Sequence, residues 1–82
     1  MRARVFVRLK SGVLDPQGEA IERALKGLGF AGVGNVRVGK VVELDVSGDA
    51  ESVKKELASM ADKLLANPVI ENYDVEIVGD KR

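Results

Sequence analysis

Two stretches of the chain have the residue types and spacing that could hold a phosphate. Gly34-Asn35-Val36-Arg37-Val38-Gly39-Lys40 follows most of the pattern G-x-x-x-x-G-K, in which backbone amides cradle phosphate oxygens and a lysine reaches the outer phosphates. The next residue is Val41, so the hydroxyl that would hold magnesium is missing. Such a loop must also lead from a strand into a helix, whereas this segment reads as a strand ending in a turn. Gly27-Leu28-Gly29-Phe30-Ala31-Gly32 matches G-x-G-x-x-G. A dinucleotide site needs those glycines after a strand and at the start of a helix; here they close a helix. Both stretches are read as structural glycines.

The carboxylates are plentiful, but their spacing points to surface use. Asp15 and Asp49 stand where helices begin, and Glu51, Glu56 and Asp62 fall on the solvent side of a helix. Glu43 and Asp45 share a strand face and could take a cation, but arginines opposite them are the simpler partner. The chain has no Cys and no His. That removes disulfides, thiolate chemistry, zinc sites built on nitrogen or sulfur, and any catalytic pair using imidazole. No catalytic, metal or cofactor-binding residue is assigned, and no cofactor is expected.

Eighty-two residues make a single domain, 1–82. A chain this short buries only about 60–65% of its unfolded surface, so its stability alone is modest and oligomerisation is a common remedy. Thirteen basic and thirteen acidic residues cancel, which argues against a general nucleic-acid or membrane-surface role. The first residues, Met1 to Arg8, have scattered charge and lack the apolar core of a signal peptide. No apolar run approaches the roughly 20 residues of a membrane span. A cytoplasmic protein is the expectation.

The elements follow from periodicity and punctuation. Ala3, Val5, Val7 and Leu9 alternate with Arg4, Phe6, Arg8 and Lys10 over residues 2–10, a strand with one face on a core. Asp15-Pro16 then opens a helix: Asp15 caps free amides and Pro16 suits the first helical position. Ile21, Ala24, Leu25 and Leu28 form its apolar stripe, and Gly29 is the stop. The stretch Asn35–Val46 reads as a hairpin around Gly39-Lys40-Val41. That three-residue loop sets Val38 opposite Val42, Val36 opposite Leu44 and Arg37 opposite Glu43, separating apolar from charged faces. Asp49 caps a second helix with the stripe Val53, Leu57, Met60, Ala61, Leu64 and Leu65, ended by Asn67-Pro68. Tyr73, Val75 and Ile77 alternate with Asp74 and Glu76 in a last strand, and Gly79–Arg82 reads as a tail.

Strand, helix, strand, strand, helix, strand predicts an α+β fold. The expected arrangement is a ferredoxin-like βαββαβ two-layer sandwich, with an antiparallel four-stranded sheet in the order 4-1-3-2 and both helices on one face. The other face then shows a basic strand, Arg4, Phe6 and Arg8, between acidic neighbours carrying Glu43 and Asp45 on one side and Asp74 and Glu76 on the other. It is either a solvated face laced with ion pairs or a self-association face with Phe6, Val41 and Val78 as its apolar part. RNA-recognition domains of this topology stack bases on aromatic residues, and only Phe6 is available. Acylphosphatases of this topology use an arginine with a glutamine-glycine motif; Gln17-Gly18 is present without its surroundings. A regulatory module of the ACT type, binding a metabolite at a dimer interface, stays open as an alternative.

Three stretches together resemble one family. They are Val13-Leu14-Asp15-Pro16-Gln17-Gly18 with Ala24-Leu25-Lys26-Gly27-Leu28-Gly29-Phe30; Val36-Arg37-Val38-Gly39-Lys40 with Glu43-Leu44; and Met60 through Tyr73, containing Leu64-Leu65-Ala66-Asn67-Pro68. The set, in this order, is similar to PurS, the small subunit of phosphoribosylformylglycinamidine (FGAM) synthase in purine biosynthesis. The resemblance implies a subunit of an ATP- and glutamine-dependent ligase with no chemistry of its own. It implies partners: a large synthetase subunit (PurL), a glutaminase subunit (PurQ), and further copies of itself, as a dimer or a dimer of dimers. The implied role is to bring the other subunits together and assist ammonia transfer. Phe6, Arg8, Arg37, Val41 and Glu43 are the expected contact residues, with Leu14 and Gln17 a second group.

Overall fold

Alternation in the first strand organises the molecule. In the computed structural model, which describes residues 1–79, β1 spans Arg2–Leu9 and forms the middle of a three-stranded antiparallel sheet. Its neighbours are β2, Gly39–Asp45, and β3, Glu71–Gly79. Ala3, Val5 and Val7 point to one face and are buried. Val42 and Leu44 of β2, and Tyr73, Val75 and Ile77 of β3, flank them. Helix α2, Ala50–Met60, lays Val53 and Leu57 on that face. A five-residue π-helical turn, Ala61–Leu65, continues it and adds Ala61, with Ala66 just beyond. Burying a Leu or Val side chain of this kind contributes about 1.5–3 kcal/mol, so this layer holds the fold together.

Helix α1 spans Pro16–Gly27, close to the expected limits. Its stop is a full Schellman arrangement: Phe30 N donates to Leu25 O at 3.0 Å and Gly29 N to Lys26 O at 3.1 Å. Gly29 sits at φ +102°, a conformation only glycine adopts cheaply. At the other end Asp15 is the N-cap, its side chain accepting from Gly18 N at 2.8 Å. Asp49 holds the corresponding position before α2, but its side chain makes no capping hydrogen bond there.

The architecture is α+β and antiparallel, as the pattern predicts, but the finer topology differs. Among the described residues there are three strands in the order β2-β1-β3, where four in the order 4-1-3-2 were expected. The hairpin does not form. Gly39, Lys40 and Val41, expected as its loop, lie within β2 opposite Arg8, Val7 and Phe6. Gly39 is needed for close approach: a Cβ there would sit 2.7 Å from the carbonyl oxygen of Val7. Residues 35–38 belong to no strand; carboxylates have taken the amides of Val36 and Val38. Val38 N donates to Asp15 Oδ2 at 2.8 Å and Val36 N to Glu22 Oε1 at 3.4 Å. Hydrogen bonds to ionised acceptors are stronger than the neutral ladder bonds they replace.

Helix α1 also departs from expectation. The described core residues come from β1, α2, the π-helical turn and Ala66, and Gly18 is the buried residue of α1. Ile21 and Leu28, expected on its buried stripe, are exposed, Leu28 at 74%. The helix is tied to residues 36–38 instead of lying on the sheet beside α2. The result is elongated, 48 × 31 × 14 Å, with a radius of gyration of 15.9 Å, against about 12 Å for a compact chain of this length. Gly79, expected in the tail, closes β3; the rest of that tail lies outside the described residues.

Candidate functional site

The sheet face away from α2 is where the sequence places its contact residues, and the β1 registers build it. Arg4 lies between Glu43 and Glu76, Arg2 faces Asp45, and Phe6 lies between Val41 and Asp74. Arg4 Nε donates to Glu43 Oε2 at 2.9 Å, and Arg2 bridges Glu43 Oε1 and Asp45 Oδ1, both at 3.2 Å. Arg4 also approaches Glu76 at 3.5 Å and Arg8 approaches Asp74 at 3.8 Å. The basic strand between acidic neighbours is therefore present as read. The two guanidiniums hold the Glu43 carboxyl below the usual glutamate range, Arg4 contributing more than Arg2. These pairs are partly solvated, so they order the face more than they stabilise the fold.

Four of the five expected contact residues meet around one hollow. Phe6, Arg8, Arg37 and Val41 line it together with Val38, Gly39 and Lys40. Val41 is half exposed. Glu43 is not part of the hollow; it lies two residues further along β2, held by Arg2 and Arg4. Arg8 and Arg37 also border a larger open cleft of about 780 Å³ at the end of the sheet, with Lys10, Asn35, Asn72 and Tyr73. Arg37 Nη2 donates to the carbonyl oxygen of Lys10 at 3.1 Å, which ties the side chain to the chain just beyond β1, beside the larger cleft.

Asp15 positions this end of the molecule, and the sequence reveals only half of its role. Its carboxylate is buried, 5% exposed, and each oxygen is used: Oδ1 by Gly18 N and Oδ2 by Val38 N. These amides, Val38 first, with nearby Arg37, hold it below the ordinary aspartate range. The cap was legible; the second bond, 23 residues away along the chain, was not. Glu22 was missed altogether. Its pairing with Lys26 at i,i+4 marks it as a surface residue, and only the fold shows its other oxygen at Val36 N. Asn35, at φ 52°, turns the chain here; Asn is among the few side chains that tolerate this region. Leu14 and Gln17 are both exposed beside this joint. Among the described residues no cluster of acidic side chains is placed to hold a metal ion.

A three-stranded antiparallel sheet with one helical layer, a charge-laced open face and an outstanding helix defines a small α+β subunit-type domain. A family model described as "PurS: Phosphoribosylformylglycinamidine (FGAM) synthase" matches residues 2–79. The chain belongs to the PurS family. It is 44% identical over 77 residues to the phosphoribosylformylglycinamidine synthase subunit PurS of Methanocaldococcus jannaschii, covering 93% of each chain. The crystal structure of PurS from that organism matches with a TM-score of 0.83 over 92% of each chain. A chain in the structure of PurLQS from Thermotoga maritima matches with a TM-score of 0.82 at 33% identity, covering 92% of this chain and 93% of that one.

Proposed function

We propose that this chain is the PurS subunit of FGAM synthase in purine biosynthesis, a non-catalytic partner of the synthetase and glutaminase subunits. The observation that carries the reading is the likeness, over nearly the whole chain, to the chain in the Thermotoga maritima PurLQS structure. The chain is read as one cytoplasmic domain, 1–82, that needs no cofactor of its own and associates with further copies of itself.

The contribution to the reaction is positional. Ammonia released by a glutaminase must reach the synthetase without escaping to bulk water, where it is diluted and protonated. A small domain docked at the junction of two subunits shields that route or holds the closed arrangement. The contact surface is the hollow around Phe6, Arg8, Arg37 and Val41, continued by Glu43 along β2, with Leu14 and Gln17 as an accessory contact. Its character suits docking: an apolar patch within fixed charges, so that a matched partner gains both burial and register.

The test is synthesis of the amidine by synthetase and glutaminase with and without this chain, driven by glutamine or by ammonia. The expected result is that omission abolishes the glutamine-dependent rate and spares the ammonia-dependent one. An unchanged glutamine-dependent rate refutes the proposal.

A further inference from the structure

We propose that the open cleft at the end of the sheet binds a small phosphorylated sugar, its phosphate held by Arg8, Lys10 and Arg37. This goes beyond the subunit reading above and does not rest on it.

The cleft lies where β1 ends, between the turn that follows β1 and the start of β3. Its volume of about 780 Å³ falls in the range of small-molecule sites. The two ends of β1 treat their arginines differently. At the first end Arg2 and Arg4 meet Glu43, Asp45 and Glu76 at 2.9 to 3.5 Å, with side chains 30% and 39% exposed. At the cleft Arg8 approaches Asp74 at 3.8 Å, with a side chain 65% exposed. That separation is too long for a hydrogen bond, so the Arg8 donors stay unspent. The Lys10 ammonium has no carboxylate within ion-pair distance among the described residues.

Arg37 is anchored without being neutralised. The turn Lys10–Val13 closes with Val13 N donating to Lys10 O at 3.1 Å. Gly12 takes φ +89° at its third position, the type II form. The same carbonyl accepts from Arg37 Nη2 at 3.1 Å, which leaves the other nitrogens of the guanidinium fork for a ligand. Asp15, the carboxylate that Arg37 influences, has both oxygens taken by amides. Glu71, also in the lining, is engaged by Asn67 N at 2.6 Å and pairs with none of the three cations.

Three cations thus outnumber the carboxylates of the cleft. A phosphate monoester, with a charge of about −1.5 to −2 at pH 7, is the complement, and arginine forks fit its oxygens. The rest of the lining selects a sugar over a base. Ser11, Asn35 and Asn72 bring hydroxyl and amide groups that bond to no other side chain among the described residues, suited to sugar hydroxyls. Tyr73, the aromatic residue of the lining, packs against the core and offers no stacking platform. The G-x-x-x-x-G-K segment contributes here through the side chains of Asn35 and Arg37, not through a phosphate loop, since Val36 and Val38 spend their amides on Glu22 and Asp15.

The test is an NMR titration of the full 15N-labelled chain, at constant ionic strength, with ribose 5-phosphate, inorganic phosphate and ribose. Saturable shifts of the Ser11, Gly12 and Asn72 amides are expected with ribose 5-phosphate. Inorganic phosphate is expected to bind at least about 10-fold more weakly, and ribose not at all. Lys10→Gln and Arg37→Gln are each expected to weaken binding at least about 10-fold, while Lys63→Gln, on the π-helical turn, leaves it unchanged. The spectrum of each variant shows whether it is folded. Lys10→Gln removes a charge that the fold does not use, so it decides the question even where Arg37→Gln disturbs the turn. Shifts that do not saturate overturn the proposal. So does equal affinity for ribose 5-phosphate and inorganic phosphate, which means an adventitious ion only, and so does undiminished binding by Lys10→Gln. If ribose 5-phosphate does not bind but Lys10→Gln slows glutamine-dependent synthesis by the assembled subunits, the cleft takes an acidic segment of a partner and the proposal is wrong. The titration needs no partner subunit, so its failure leaves the subunit reading standing, and loss of that reading leaves the site untouched.

Discussion

Gly18→Ala sets two effects of opposite sign against each other. Gly18 lies in the first turn of α1, and helix propensity alone predicts that alanine is better there, by at most about 1 kcal/mol. The structure predicts the reverse. A Cβ at this position would overlap the carbonyl oxygen of Val36, with Val36 C at 3.0 Å and Asp15 Cγ at 3.1 Å. The obstacle is backbone, which cannot rotate away, so the cost belongs at the upper end of the overpacking range, about 3 kcal/mol. The net expectation is destabilisation by about 2 kcal/mol, and for a domain of this size each kcal/mol lowers Tm by roughly 4–8 °C. Thermal melts of the two proteins at equal protomer concentration are therefore expected to differ by roughly 8–16 °C, the variant melting first. An alanine variant that melts at or above the parent would refute the argument, because it would show that residues 36–38 are not fixed against the helix.

Other outcomes follow from the same geometry. Asp15→Asn should lower Tm at neutral pH, and the gap should close in acid. The Asp15 carboxyl is depressed in the folded state, so its contribution is complete above the unfolded aspartate pKa of about 4 and is lost as pH falls through the lower folded value. Melts from pH 7 to pH 2.5 test this, and parallel curves would contradict it. Leu57→Ala removes a fully buried side chain and is expected to cost about 2–5 kcal/mol, read from the urea midpoint. Glu43→Lys replaces an attraction with a repulsion beside Arg2 and Arg4. Its Tm deficit is expected at low salt and should shrink toward zero near 1 M salt, where such interactions are screened.

The two-layer core was legible because it rests on local pattern. Alternation along β1 and the stripe of α2 named Ala3, Val5, Val7, Val53, Leu57 and Ala61 before any coordinates, and all are buried. Gly29 as the stop of α1 was legible for the same reason. Residues 35–38 were not. Their alternation is a genuine strand pattern, but strand pairing requires free amides, and distant carboxylates captured them first. Each carboxylate already had a sufficient local role, Asp15 as cap and Glu22 as partner of Lys26, so nothing in the sequence advertised the longer bonds. The same capture explains why α1 was expected on the sheet and is found beside it. The contact residues were legible in part: alternation put Phe6, Arg8 and Glu43 on one face, whereas Val41, read as a loop residue, reaches that face because β2 begins at Gly39. Arg37 joins them only because the uncoiled segment runs along the end of the sheet.

The π-helical turn after α2 has a consequence for how this chain tolerates change in length. Ala66 N donates to Ala61 O at 2.8 Å, closing a loop one residue wider than an ordinary helical turn. Ala61 and Ala66 both face inward, while Asp62, Lys63 and Leu64 bulge into solvent. Dropping Asp62 or Lys63 would bring the two alanines to the ordinary four-residue spacing with both still inward. The bulge is a link of slack, where this chain is expected to lose one residue without retuning the core.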